Sequence, residues 1–420
     1  MSLIGALFSG VSGLSSNSQA MNIIGDNISN LNTVGFKGSK AVFGDLFTTI
    51  LANGAVTSQL GRGTMLLGSL QSFSQGAFES TTNALDLGID GSGFFIVNNG
   101  AGNFYTRAGQ FRQNEDGLVE SITGEILQGF EFTAGVLGTT LGDIDLAGVQ
   151  SAPVPTTEFT LGANLDAAAL SGITFNSPVS IFNSVGDEIV MNIQFTKVVP
   201  PTLASTTEWD YVASNPIGKG VVGAGGMGTL VFDTSGVLIG VNGGGVTDVT
   251  INIDYSAASP PAASQALIWD LADLTGVATN GRMTGFAAAS NTNSVVQDGF
   301  GTGVLTGLAV NFEGIISGLF NNGQSEDLFQ VALADFLSPT GLIRTGQNLF
   351  AESGSSGQPV IGLAQTGGFG SVLGSTLELS NVDLAQEFVT LIVTQQAFQA
   401  SARIITTTDD MLTETVNLTR

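Results

Sequence analysis

Apolar residues recur with a period of 3.5 at both ends of this chain and not between them. At the start, Leu7, Leu14, Met21 and Ile28 form one column, and Leu3, Gly10, Asn17, Ile24 and Leu31 another. At the far end, Leu384, Leu391, Phe398, Ile405 and Leu412 form one column, and Phe388, Gln395, Ala402, Asp409 and Val416 another. Steps between columns alternate four and three, the spacing of a coiled-coil seam. Two such seams can pack together only if the intervening chain runs out and returns. The pattern therefore predicts axial helices over 1–33 and 378–420 that pack as a coiled coil, with everything else nested between them. Ser380-Asn381-Val382-Asp383 is a start signal for the second helix, and Asn30 to Gly35 is a stop for the first. Gly5, Gly10, Gly13 and Gly25 each weaken a helix by about 0.8–1 kcal/mol relative to Ala. The first helix is thus expected to depend on packing.

The middle reads differently. Residues 34–75 carry no clear period and many Gly, Ser, Thr and Gln residues, as in an extended connector. From residue 76 the pattern is strand and turn: Gly93-Phe94-Phe95-Ile96-Val97 runs into Asn98-Asn99-Gly100, a strand entering a hairpin. Pro153 and Pro155 mark a boundary near residue 150, and Pro200-Pro201 and Pro260-Pro261 interrupt a region without helical period. The expected fold is mainly β with α-helical termini. An inner β domain is made of 76–150 and 290–377, an outer β domain of 151–289, and both project outward from the helices.

Composition narrows the function. There is no Cys and no His. Disulfides, thiolate metal sites and cysteine nucleophiles are excluded, as are the usual general base and the Ser-His-Asp triad. A net charge of −24 repels nucleic acid and anionic lipid. Yet only 11% of residues are charged and mean hydropathy is +0.33. Much of the surface is then neutral, which suits packing against further copies. No window approaches the ~18 apolar residues of a membrane span, and Met1-Ser2-Leu3-Ile4-Gly5-Ala6 lacks the basic start of a signal peptide.

Three strings imitate sites. Gly223-Ala224-Gly225-Gly226-Met227-Gly228 has dinucleotide-loop spacing, but a strand-like run follows it where a helix N-terminus is needed. Phe232-Asp233-Thr234-Ser235-Gly236 imitates an aspartic-protease string without the second copy that chemistry requires; it reads as a hairpin turn. Asp86 and Asp90 bracket a strand without the regular oxygen spacing of a calcium loop. No catalytic residue, cofactor or metal is expected.

Long stretches at both ends resemble a known family. Asn22-Ile23-Ile24-Gly25-Asp26-Asn27-Ile28-Ser29-Asn30-Leu31-Asn32-Thr33-Val34-Gly35-Phe36-Lys37 is similar to the N-terminal signature of flagellar rod and hook proteins. Leu379-Ser380-Asn381-Val382-Asp383-Leu384, with Glu387 to Ile392 and Gln395, is similar to the C-terminal one. Phe73-Ser74-Gln75-Gly76, Asn83 to Leu87, Ile89-Asp90-Gly91 and Gly346-Gln347-Asn348-Leu349-Phe350 resemble the hook branch. Asp26, Gln396, Phe398 and Ser401 depart from the usual Asn, Arg, Tyr and Asn.

The resemblance implies a structural part and not an enzyme: a hook subunit exported by a type III apparatus without a cleaved signal. Such subunits assemble under a cap into a curved, hollow homopolymer outside the cell, between the rod and the hook–filament junction proteins. Their terminal helices line the channel. The tube carries torque as a flexible joint. The seam residues above would then be subunit-packing residues. A stiff distal-rod-type axial protein is the nearest alternative; a carboxylate-based secreted hydrolase and an adhesin are more distant ones.

Overall fold

The computed structural model describes residues 3–46, 49–53, 56–198, 206–272 and 282–418. The protein is mostly β with a helix at each end. Its contacts divide the chain into two compact units, Met1–Gly148 with Gly307–Leu319 and Ser325–Arg420, and Val149–Thr306 with Phe320–Gln324.

In the first unit, helix α1 (Leu3–Ser29) packs along helix α2 (Leu384–Leu418). Asn27, near the end of α1, bonds Glu387, near the start of α2, while Gly10 lies against Ser401 and Ile405. The helices are therefore antiparallel. Asp383 caps α2: its Oδ1 accepts from the amides of Ala385 (2.8 Å) and Gln386 (3.2 Å), replacing partners the first turn lacks. Helix α1 ends at Ser29, and the turns after it close at Gly35, whose φ of +69° is a left-handed conformation that favours glycine.

The segment expected to be an extended connector is instead a long hairpin. Strand Ser39–Asp45 pairs antiparallel with Thr64–Gln71, and Thr49–Asn53 pairs with Val56–Leu60 beyond it. Ladder hydrogen bonds give these residues an order that side-chain period does not signal. The hairpin leans on α1, where the Ser16 hydroxyl donates to the Thr64 carbonyl at 3.2 Å.

The strands of the first unit are organised around Ser325–Asp335, which pairs with Ile126–Thr133, Phe94–Asn98 and Val360–Leu363. Phe94–Asn98 and Asn103–Thr106 form the hairpin read from Asn98-Asn99-Gly100. Phe73 packs edge to face on Phe94 and Phe350, Phe336 on Phe94, and Tyr105 on Phe336, at centroid distances of 4.7–5.9 Å, a favoured geometry for aromatic rings.

The second unit has two sheets sharing one core. Thr174–Phe182, Glu188–Val198, Thr207–Ser214, Met227–Phe232 and Leu238–Val241 form an antiparallel meander. Along Glu188–Val198 alternate residues are buried, the period-two pattern of a sheet with one wet face. The other sheet is built on Glu158–Asn164, flanked by Gln265–Trp269 and Asn291–Gln297. Because Asn291–Gln297 pairs with Glu158–Asn164, the chain re-enters the first unit at Gly307 and not at residue 290.

The three imitation strings are turns and strands here. Met227–Phe232 follows the glycines, so no helix N-terminus faces them. The Asp233 carboxylate accepts from the Ser235 and Val237 amides and shapes a turn with Gly236 at φ +78°. Asp86 accepts from the Asn83 side-chain amide.

Candidate functional site: the terminal helix pair and the clasp at its root

Along α1 the most buried positions are Gly10, Gly13, Ser16, Ala20, Ile24 and Asn27. A Cβ on Gly10 would lie 2.9 Å from Ile405 Cγ1 and 3.3 Å from the Ser401 carbonyl oxygen; one on Gly13 would lie 2.8 Å from Ser401 Oγ. The two backbones approach closely here because α1 offers small residues. Ser401, one of the departures from the family pattern, is small enough to sit under Gly13.

The sequence-derived seam residues divide by exposure in the single chain. Ile24 is buried. Leu7, Leu14, Met21, Ile28, Leu31, Leu391, Phe398, Ile405 and Leu412 are half-buried. Leu384, Phe388 and Val416 are exposed, and the Leu3 side chain lies outside the described residues. The less exposed face of α2 runs Glu387, Leu391, Thr394, Phe398, Ser401, Ile405, Thr408 and Leu412. It keeps the apolar column and pairs it with a polar, small-residue column. The opposite surfaces are apolar and open: Ile4, Phe8 and Val11 on α1, and Val389, Ile392, Val393 and Met411 on α2.

Where both helices join the strands, charged and polar side chains are buried together. The side chains of Lys37 and Glu378 are each 0% exposed, with Nζ and Oε1 2.6 Å apart. Lys37 Nζ also donates to the Ser74 carbonyl at 2.8 Å, and the Gly76 amide donates to Glu378 Oε1 at 2.8 Å. Arg107 closes the far side: Nη1 donates to Glu378 Oε2 at 3.3 Å and Nη2 to the Gly91 carbonyl at 2.7 Å. Its guanidinium stands 5.3 Å from the Phe94 ring centroid. Burial pushes the Lys37 ammonium below its ordinary pKa while Glu378 pulls it back up. Burial likewise lowers Arg107, opposed by Glu378 and Asp335. Both cations are held against a desolvation cost by one carboxylate.

Two asparagines tie the helix ends to this clasp. Asn381 accepts from the Gly38 amide at 2.8 Å and donates to the Ser72 carbonyl at 2.9 Å. Asn27 both accepts from the Ser39 amide and donates to the Ser39 carbonyl, at 2.9 and 2.8 Å. Gln75 bridges the Ile89 carbonyl and the Gly91 amide. Four stretches that carry the family resemblance thus meet here: Asn22 to Lys37, Phe73 to Gly76, Ile89 to Gly91 and Leu379 to Leu384. Sequence reasoning did not find the ion triad. Its only signal was a basic residue inside Gly35-Phe36-Lys37-Gly38, in a chain with 11 Lys and Arg residues altogether.

Among the described residues no group of three or more acidic side chains is placed to hold a metal ion, and no helix is long and apolar enough to cross a membrane.

Comparisons with known proteins fit this layout. Residues 7–37 match the family described as Flagella basal body rod protein, and residues 374–418 the Flagellar basal body rod FlgEFG protein C-terminal family. Residues 88–168 match the Flagellar hook protein FlgE/F/G D1 domain, and residues 151–300 the Flagellar basal body protein FlaE D2 domain. The crystal structure of the Helicobacter pylori flagellar hook protein FlgE2 is similar at a TM-score of 0.44 and 13% identity, covering 70% of this chain and 98% of that one. The flagellar hook protein FlgE of Treponema pallidum is 31% identical over 466 residues, covering 99% of each chain. That of Borreliella burgdorferi is 33% identical over 448 residues, covering 98% of this chain and 99% of the relative. Similarity of that degree along nearly the whole length means that this chain belongs to the flagellar hook protein FlgE family.

Proposed function

We propose that this protein is the structural subunit of a bacterial flagellar hook, and that copies assemble through their terminal helices into a curved hollow tube. The tube transmits torque from rod to filament as a flexible joint. The observation that carries this reading is the open apolar surface on α1 and α2, on the same helices that hold the family's terminal signatures. An apolar face of that length is costly in water and favours burial against further copies. A chain of net charge −24 can approach itself closely only where charge is sparse. From Leu3 to Ser29, α1 has a single charged residue, Asp26. The exposed seam residues Leu384 and Phe388 are then covered by neighbouring copies, and the exposed polar seam residues Gln395 and Asp409 face neighbours or a wet channel. In this reading the protein is exported through the flagellar type III apparatus, works outside the cell, contacts rod, cap and junction proteins, and catalyses nothing.

The test is assembly of the purified chain followed by electron microscopy. Curved tubes are expected. Straight rods would favour the distal-rod alternative, and a chain that stays monomeric at high concentration would refute the reading. Ile4→Ser with Phe8→Ser should abolish tubes and leave the second unit folded.

A further inference from the structure

We infer that the Lys37–Glu378–Arg107 clasp is a positioning device: its charges fix the direction in which α1 and α2 leave the strands of the first unit, and add little to stability. The relevance to tube geometry rests on the proposed function; the positioning itself does not.

Energy alone does not account for the triad. Lys37 and Glu378 have no exposed side-chain surface, and a buried ion pair commonly gives no more stability than well-packed apolar side chains of similar volume. What it adds is direction. Hydrogen bonds tolerate little misalignment, whereas apolar contacts slide. Each bond of the clasp reaches a different stretch of backbone: Ser74 and Gly76 after the long hairpin, Gly91 beside a strand, and Gly38 through Asn381. Both helices enter the strands through these contacts. Helix α1 leaves by residues 30–39, and α2 begins immediately after Asn381 and its cap Asp383.

The lever is long. A helix of 35 residues extends about 52 Å, so a tilt of about 5° at its root moves its far end by ~4–5 Å. That is close to the spacing of one helical turn, enough to carry the seam side chains of the far turns away from their neighbours, while those next to the root barely move. A root held by directional bonds prevents this; a root held by apolar packing does not.

The triple variant Lys37→Met/Arg107→Met/Glu378→Gln separates the two roles. It removes all three charges together, so no buried charge is left without its partner, and the carboxamide oxygen introduced at position 378 can still accept from the Gly76 amide. Because the chain has no cysteine, Asn99→Cys/Gln399→Cys places two spin labels, one on an exposed hairpin turn of the first unit and one on α2. The distance distribution between them is read by pulsed electron resonance on the full-length subunit, and the urea midpoint of the same unit by hydrogen exchange. The expected result is a narrow distribution that becomes broad in the triple variant at an unchanged midpoint. A distribution that stays narrow would overturn the inference, as would one already broad in the parent protein. Broadening accompanied by a lowered midpoint would assign the clasp to stability and also overturn it. None of these readouts needs tubes, so failure of the parent protein to assemble would refute the proposed function and leave this result standing on its own.

Discussion

The second unit carries an ionisable group whose contribution can be isolated by pH. Tyr255 has no exposed surface, and its hydroxyl has no hydrogen-bond partner among the described residues. Burial, reinforced by the Asp187 carboxylate, pushes the phenol up to about 12, against about 10 in an unfolded chain. Between those values the unfolded state loses its proton first, so stability falls as pH rises. The contribution is fully present below pH 10 and is lost as pH passes through 12. It amounts to ~1.4 kcal/mol lost by pH 11 and ~2.3 kcal/mol by pH 12. Tyr255→Phe abolishes this limb. At pH 8 the same substitution removes an unpaired buried hydroxyl, so stability should be unchanged or higher by about 1 kcal/mol. Fluorescence reports on this unit alone, because both tryptophans of the chain, Trp209 and Trp269, are buried in its core. Urea unfolding at pH 8 and pH 11, parent against Tyr255→Phe, measures the difference and cancels every other titrating group. Equal loss in both proteins would refute the argument. A variant much weaker than the parent at pH 8 would mean that the hydroxyl has a partner after all.

Two further outcomes follow from the first unit. Glu378→Leu strands two buried cations and should cost about 3–5 kcal/mol, whereas Lys37→Met leaves Glu378 with Arg107 and the Gly76 amide and should cost about 1–3 kcal/mol. Hydrogen exchange of strand Phe94–Asn98 reads both, and equal costs would contradict the shared-carboxylate geometry. At Gly35, φ is +69° and an added Cβ would lie 2.4 Å from the Ala108 amide nitrogen and 2.5 Å from the Arg107 carbonyl carbon. Since backbone cannot step aside as a side chain can, Gly35→Ala should cost at least about 2–3 kcal/mol. It should also loosen the clasp through Arg107; a drop of under about 0.5 kcal/mol in urea unfolding would rule that out.

The helices at the termini and the β character of the middle were legible because period is a direct consequence of backbone geometry. A run such as Glu188–Val198 has to alternate if one face is buried, and α1 and α2 have to repeat near 3.5 if they lie along each other. The hairpin over 39–71 was not legible, since its order comes from ladder bonds between segments without a strong apolar period, as in the pairing of Ser39 with Gln71. The end of the second unit was misplaced for a related reason. Asn291–Gln297 is mostly polar and is exposed along nearly its whole length, and only its partner Glu158–Asn164 shows where it belongs. The clasp was out of reach because its members are far apart in sequence: Lys37 and Glu378 are 341 residues apart.

The helix seam shows how a residue's meaning changes with its neighbour. Taken alone, Gly10 and Gly13 weaken a helix, because glycine has more conformational freedom to lose than alanine. Against α2 they are the positions where a side chain does not fit: the nearest atoms to an added Cβ are Ile405 Cγ1 at Gly10 and Ser401 Oγ at Gly13, both under 3.0 Å. The local cost and the close approach are one feature. Helix α1 accepts a lower intrinsic propensity so that a small-residue stripe can meet Ser401, with Thr394 and Thr408 on the same face of α2. Their hydroxyls, with that of Ser401, donate back to carbonyls four residues earlier, at 2.6–2.9 Å, so a polar column is buried without stranding a donor. Other large apolar side chains, Phe8, Val11, Ile392 and Val393, lie outside this contact and stay exposed, and Leu391, Phe398, Ile405 and Leu412 within it are only half-buried. A helix pair with this arrangement has much of its apolar burial still to gain, and a further copy of the same chain, meeting a nearly uncharged helix, can supply it.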